Sequence, residues 1–347
     1  MLKTSLHRSS KMLYVFLILG CILHLSSTNV QASIKLPSFD CSNISYVLPA
    51  SAVSQESMRK ICKLFPCTLP LFKTSALPYH SGTDAERFLD LKKAIYDKKK
   101  KYIWAVRGGY GSARLLDFLT KIQPPEQSKV IIGYSDITFL HLFFDRWGWK
   151  GIHGAMPSDL AKTEVNEKNF TDLIKIISRK PSQALELRYN KIKALNKFAA
   201  KCEKIDAQII GGNLTILENS LGTSWQVRAK GRILFIEECG EDGYCIDRRL
   251  THLKQAGALD GARAILVGSL SNCGQQAQFA IERFAKDVQI PVFQVDCFGH
   301  GRDNFPLIFG APSSITRKNY QQNVGQKDFR SGREDFEIVI PVSTDIL

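Results

Sequence analysis

The sequence predicts an α/β fold in two domains. Three observations carry that expectation. Short β-branched or aromatic runs alternate with amphipathic helical segments over residues 42–160, the alternation returns over 205–312, and a polar, lysine-rich stretch, 161–204, separates the two. With 347 residues the chain is long enough for two units of roughly 100–200 residues each.

In the first domain (42–160), Tyr46–Leu48, Tyr102–Val106 and Lys129–Ile132 have the composition of strands. Around them, Ala85–Tyr96, Ser112–Ile122 and Asp136–Trp147 repeat apolar residues at helical spacing; Leu115, Leu116, Leu119 and Ile122 share one side. Strands separated by such helices pair in parallel, with helices on both faces. The stretch 161–204 reads as a connector carrying a helix, Asn169–Ser178. In the second domain (205–312), Gly211-Gly212-Asn213 reads equally as a loop with Asn213 capping a helix Leu214–Leu221 and as a ligand-lining segment. There follow the strand Ile233–Ile236, the helix Ile246–Ala256 with Ile246, Leu250 and Leu253 on one face, the strand Ala264–Val267, the helix Gln276–Lys286 and the strand Val292–Val295. That inventory is mixed α/β. The tail, 313–347, is left unassigned: 317–337 is polar and charged, and Ile338–Val342 reads as a last strand.

Candidate chemistry collects where strands end. Val130-Ile131-Ile132 stops at Gly133-Tyr134-Ser135, and an amphipathic segment begins at once with Asp136. A serine on a strand-to-helix turn is lifted clear of the sheet beside the first free N–H groups of the helix, the geometry of a nucleophile elbow for acyl transfer. The usual G-x-S-x-G form would have glycine where Ile137 stands. Upstream, Tyr102–Val106 runs into Arg107-Gly108-Gly109-Tyr110-Gly111, where backbone amides can approach a ligand. No Lys-Ser/Thr pair follows Gly111, and the spacing is neither that of a P-loop nor a dinucleotide fingerprint. A second oxyanion donor at Gly108 or Gly109, beside the N–H of Asp136, is the better reading. Downstream, Ile233–Ile236 ends in Glu237-Glu238, and the strand 292–295 is followed by Phe298-Gly299-His300-Gly301. Serine, acid and histidine thus lie at three strand exits. Spacing leaves Glu237 and Glu238 equal candidates, because adjacent strand residues face opposite sides.

Arg107–Gly111, Gly133–Asp136, His153-Gly154, Gly211–Thr215, Ile236-Glu237 and Gly299–Gly301, in that order, resemble the motifs of the LD-carboxypeptidases, serine peptidases that trim the murein tetrapeptide, across roughly residues 45–312. The resemblance implies a parallel-sheet, flavodoxin- or amidotransferase-like N-terminal domain with the nucleophile and a smaller C-terminal domain with the acid and base. The active site would lie in the cleft between them. It implies Ser135 as nucleophile, His300 as general base and Glu237, the first acid of the pair, as the group that orients it, with no metal and no cofactor. The implied partner is a muropeptide or peptidoglycan stem peptide, and a homodimer is left open. The microcin C self-immunity peptidases resemble this family and share its triad, so another acyl substrate is the alternative. A catalytically dead envelope-binding protein is the alternative from a different class, and the intact Ser135, Glu237 and His300 argue against it. Arg107 reads as an exposed strand-end charge and His153 as structural. One departure concerns the loop after the acid, where the family tends to have a proline and an arginine and this chain has Cys239-Gly240-Glu241-Asp242-Gly243-Tyr244-Cys245. A disulfide between Cys239 and Cys245 is expected to clamp it.

The start of the chain predicts location. Lys3, Arg8 and Lys11, the 12-residue apolar run Met12–Leu23 and the ending Val30-Gln31-Ala32 read as a secretory signal peptide (1–32). The run is short beside the ~20 residues of a spanning helix, so membrane contact is expected only through this segment. Export to the periplasm or cell envelope departs from the resemblance, since LD-carboxypeptidases of the recycling type usually lack a signal. Without Cys21 the chain keeps eight cysteines, an even number compatible with disulfides. It has neither C-x-x-C nor H-E-x-x-H, which leaves a zinc peptidase reading without support. Net charge is +14, or +11 without Lys3, Arg8 and Lys11, and directs the protein toward anionic envelope polymers. The dense basic run Lys98–Lys101 sits at a predicted helix end with no aromatic platform, so nucleic acid is not an expected partner.

Overall fold

The runs at Tyr102–Ala105, Val130–Ile132 and Ile233–Glu238 are buried at every residue, as strands covered on both faces must be. The computed structural model describes residues 34–70, 77–180, 183–318 and 336–342, so the predicted signal peptide and part of the tail lie outside the described residues. Its strands are β1 (Ile44–Val47), β2 (Tyr102–Ala105), β3 (Val130–Ile132), β4 (Lys150–His153), β5 (Leu185–Ala194), β6 (Lys204–Asp206), β7 (Ile209–Asn213), β8 (Ile233–Cys239), β9 (Ala264–Ser271), β10 (Val292–Gln294), β11 (Leu307–Phe309), β12 (Ser314–Arg317) and β13 (Phe336–Val342). They lie in one sheet, in the order β1-β2-β3-β4-β11-β7-β8-β9-β10-β5-β13-β12-β6.

The expected α/β class is observed, with two parallel runs, β1 to β4 and β7 to β10. Between them β11 pairs antiparallel with β4 (Leu307 opposite His153) and parallel with β7 (Phe309 opposite Ile209). Beyond β10 the sheet continues antiparallel through β5, β13, β12 and β6. Helices pack on this frame through buried stripes. Asp84–Tyr96 begins at a Thr83/Glu86 capping box, which satisfies two otherwise orphaned N–H groups, and adds Leu91, Ala94 and Ile95 to a core with Ile103, Leu119, Ile131, Leu140 and Phe144.

Several expectations change. Gly211-Gly212 is strand, not loop: β7 pairs with β8 from Ile209 opposite Ile233 to Asn213 opposite Glu237, and tertiary pairing outweighs the low strand propensity of glycine. Asn213 does cap a helix, Leu214–Asn219. The connector contributes β5, in which Leu187, Tyr189 and Ile192 are buried among exposed charges. The segment expected as a helix over 112–122 is a 3-10 turn, Ser112–Leu115, running into the short helix Leu116–Leu119. The tail strand is present and begins at Phe336.

The Cys239–Cys245 bridge is not formed, and both thiols are free. Cys239 ends β8, in register with Ser271 of β9, whereas Cys245 lies in the first turn of the helix Gly243–Gln255, its sulfur 3.5 Å from Arg248 Nη2. The disulfide joins Cys41 to Cys67, with Cα atoms 6.1 Å apart. Peptide mapping without reduction is therefore expected to recover a linked Cys41–Cys67 peptide and alkylatable Cys239 and Cys245. Replacing Cys67 by serine should lower unfolding stability in urea by about 2–4 kcal/mol. A linked Cys239–Cys245 peptide would contradict the free state of these two thiols, and an unlinked Cys41 and Cys67 would contradict the disulfide.

Candidate active site

The nucleophile candidate sits where β3 ends. Ser135 opens a 3-10 turn, Ser135–Ile137, with φ of 63°, a left-handed conformation that costs a non-glycine residue about 1–3 kcal/mol. Its neighbours are pinned from two directions. The Tyr134 hydroxyl donates to Asp159 Oδ1 at 2.9 Å and accepts from Lys162 Nζ at 2.6 Å. The buried carboxylate of Asp136 accepts from the backbone N–H of Ser112 at 2.8 Å, tying the serine turn to the end of the glycine loop; burial raises its pKa, against the pull of these hydrogen bonds. Below them His141, held neutral by burial at about 3, bonds through Nε2 to the Gly133 carbonyl at 2.9 Å. The glycine loop touches the serine itself. A Cβ on Gly108 would lie 3.1 Å from the Ser135 Cβ, so a side chain there would crowd the turn. Ser51 braces that loop, donating its N–H to the Gly108 carbonyl and accepting from the Tyr110 N–H, each at 3.1 Å.

The acid and base meet directly. Glu237 is fully buried, and its Oε2 lies 2.7 Å from His300 Nδ1. Gly299, with φ of +113°, permits the approach, because a Cβ there would stand 2.8 Å from Glu237 Oε2. The β8–β9 register slips between Ile236 and Glu238, leaving Glu237 outside that ladder; bulges of this kind re-aim a side chain. Burial disfavours charge on both partners, yet their mutual attraction prevails: Glu237 is held below the usual carboxylate range and His300 above the usual imidazole value. The nearby Cys239 side chain adds to the upward pull on His300.

Glu238 points elsewhere. It accepts from Asn213 Nδ2 (2.8 Å), Thr215 N (2.9 Å) and Thr215 Oγ1 (2.7 Å), fastening β8 to the start of the helix Leu214–Asn219. The two adjacent glutamates are thereby separated, one facing the imidazole and one a helix N-terminus. Ser135 is linked to the pair through Tyr134, whose ring lies edge-on to His300 at 4.8 Å between centroids. The structure thus joins Glu237 to His300 and Gly108 to Ser135, while Arg107 lies at the surface and donates to the Ala52 carbonyl. Residue reasoning missed the side-chain role of Asp136 and the contact of Tyr134 with His300, and it read as structural His153, which is fully buried with Nε2 3.9 Å from Glu237 Oε1. The motif His153-Gly154 was the available signal for the last. Cys297, three residues before His300, has its thiol pushed up to about 12 by burial, which disfavours the reactive thiolate. Among the described residues no group of three His, Cys, Asp or Glu side chains is disposed to hold a metal ion.

Comparison with known proteins identifies the family. The pattern of the LD-carboxypeptidase N-terminal domain matches residues 44–154, and that of the C-terminal domain matches residues 206–315. A Rickettsia conorii protein named "putative carboxypeptidase" is 37% identical over 280 residues, covering 79% of this chain and 88% of its own. The microcin C7 self-immunity protein of Escherichia coli is 29% identical over 270 residues, covering 70% and 78%. In fold, the crystal structure of muramoyltetrapeptide carboxypeptidase from Oxalobacter formigenes is similar with a TM-score of 0.68 at 22% identity, over 86% of this chain and 98% of that one. With both domain patterns matched in order across more than half its length, the chain belongs to the LD-carboxypeptidase family of peptidases.

Proposed function

We propose that the protein is a serine carboxypeptidase that cleaves the L,D-bond releasing terminal D-alanine from peptidoglycan tetrapeptide stems. The observation that carries this reading is the buried Glu237–His300 pair set against the strained Ser135 turn. His300 takes the hydroxyl proton as Ser135 attacks the scissile carbonyl; Glu237 holds the imidazole and stabilises its charged form. The N–H of Asp136 and one from Gly108 or Gly109 receive the oxyanion, each such donor being worth about 10²–10³ in rate. The C–N bond then breaks as His300 returns the proton to the departing D-alanine amine, and water, giving a proton to His300 in its turn, hydrolyses the acyl-enzyme. The signal-like residues 1–32 and the Cys41–Cys67 disulfide support export to an oxidising envelope compartment.

Ser135→Ala is expected to fold normally and lose nearly all turnover, as measured by D-alanine release. Wild-type rates in that variant would place the nucleophile elsewhere.

The pH profile follows from the pair. Neutral His300 is the form that accepts a proton, and Glu237 raises its pKa, so activity is gained as pH rises through a value above that of ordinary histidine. Glu237→Gln removes the raising charge. The acid limb of kcat/KM should then move to lower pH while kcat falls by roughly 10⁴, the loss seen when a triad acid becomes an amide. Glu238→Gln should instead cost about 1–3 kcal/mol of stability, because its amide would face donors now served by a carboxylate. A larger kinetic loss at Glu238 would reverse the assignment.

The substrate test uses tetrapeptide and pentapeptide muropeptides, with and without EDTA. Release is expected from the tetrapeptide in both conditions and little from the pentapeptide, whose last bond joins two D-centres and presents the carbonyl with the wrong stereochemistry. Release abolished by EDTA would refute the serine mechanism, and release chiefly from pentapeptide would refute the LD assignment. Inertness toward both would favour another acyl substrate, as in the microcin C7 self-immunity relative.

A further inference from the structure

We propose that His153 is a positioning residue which, as the neutral Nε2–H tautomer, donates to the second oxygen of Glu237 and so fixes the carboxylate that faces His300. The proposal rests on the triad reading above and extends it by one member. His153 is the last residue of β4 and is fully buried, as is Glu237. Glu237 Oε2 is taken by His300, whereas Oε1 is buried with no hydrogen-bond partner, and both ring nitrogens of His153 are in the same condition. These complementary groups face each other, Nε2 to Oε1, at 3.9 Å. A movement of about 1 Å brings them to hydrogen-bond length. The imidazole is walled by aromatic rings, with centroids at 5.0 Å (Phe235), 5.7 Å (Tyr134) and 5.8 Å (Phe309).

The titratable groups around His153 are Glu237 from β8, His300 from the loop after β10, Tyr134 from the turn after β3 and His141 from the helix Thr138–Asp145. Two of them are committed elsewhere, Tyr134 to Asp159 and His141 to the Gly133 carbonyl. Burial is the foremost influence on His153 and lowers its pKa, so the ring stays neutral and has one proton to give. A donor on Oε1 draws charge from the carboxylate and moderates its pull on His300. The base is thereby kept deprotonatable closer to neutral pH.

His153→Phe keeps the ring and removes the donor; His153→Gln restores a donor near the Nε2 position. His153→Phe is expected to lower kcat/KM by about 10–100-fold, the equivalent of one hydrogen bond to a charged group, and to move the acid limb to higher pH. His153→Gln should recover most of both. An unchanged limb and rate in His153→Phe, or no recovery in His153→Gln, would overturn the proposal. A second measurement needs no variant of His153 to fold. In ¹⁵N-histidine NMR of the wild type, His153 should remain neutral with its proton on Nε2 from about pH 6 to about pH 9. A proton on Nδ1, or a charged ring, would equally overturn it. Full activity in Ser135→Ala would sink the triad reading while leaving the tautomer result to stand or fall separately.

Discussion

A carboxylate taken wholly out of water is the constraint around which this molecule is arranged. An isolated buried ion costs several kcal/mol even after relaxation, and only close, well-aligned partners offset that. Glu237 meets the condition through His300 at 2.7 Å, and much of the nearby backbone serves that contact. The register slip in β8 turns the side chain out of the ladder with β9, and Gly299 removes the atom that would block the approach. The same economy explains Ser135. Its left-handed φ persists because hydrogen bonds on both sides, Tyr134 to Asp159 and Asp136 to Ser112, over-determine the turn.

The neighbouring glutamates show how one dipeptide serves two ends. Glu237 faces a histidine at 2.7 Å; Glu238 is spent on the N–H and hydroxyl of Thr215 and on Asn213, which itself caps the following helix. Since Asn213 also donates its N–H to Thr138 Oγ1 at 3.1 Å, the helix that follows Ser135 and the strand that bears the acid are held through a shared set of polar contacts.

Much of the fold was legible wherever burial on both faces writes a continuous apolar run, as at β2, β3, β8 and β9. Of the three-residue strands, β3 was legible from its β-branched run Val130-Ile131-Ile132, whereas β6 and β11 were not, because so short a segment carries no period and exists through its pairing partners. The alternation Leu187, Tyr189, Ile192 in β5 was present but diluted by lysines, arginine and glutamate on its exposed face. In the site, the serine turn and the Gly-His-Gly exit stood out because strand-to-loop transitions are punctuated by glycine. The choice of Glu237 over Glu238 came from resemblance alone, since the bulge that decides it leaves no mark in composition. The cysteine reading failed for a related reason: short spacing suggested a bridge, whereas Cys239 ends a strand, in register with Ser271, and Cys245 belongs to a helix.

The placement of β5 bears on the order in which the chain assembles. Both of its neighbours come much later in sequence: Ala194 pairs with Phe293 of β10, and Ile192 with Phe336 of β13. During synthesis β5 therefore waits with two open edges until the distal strands arrive, and the loops to be closed are long. Such contacts slow folding, because loop-closure entropy is lost before any pairing rewards it. For a protein that we propose crosses a membrane before it works, late closure is compatible with passage as an unfolded chain. It also leaves the nascent sheet dependent on its last strand for protection against edge-to-edge association.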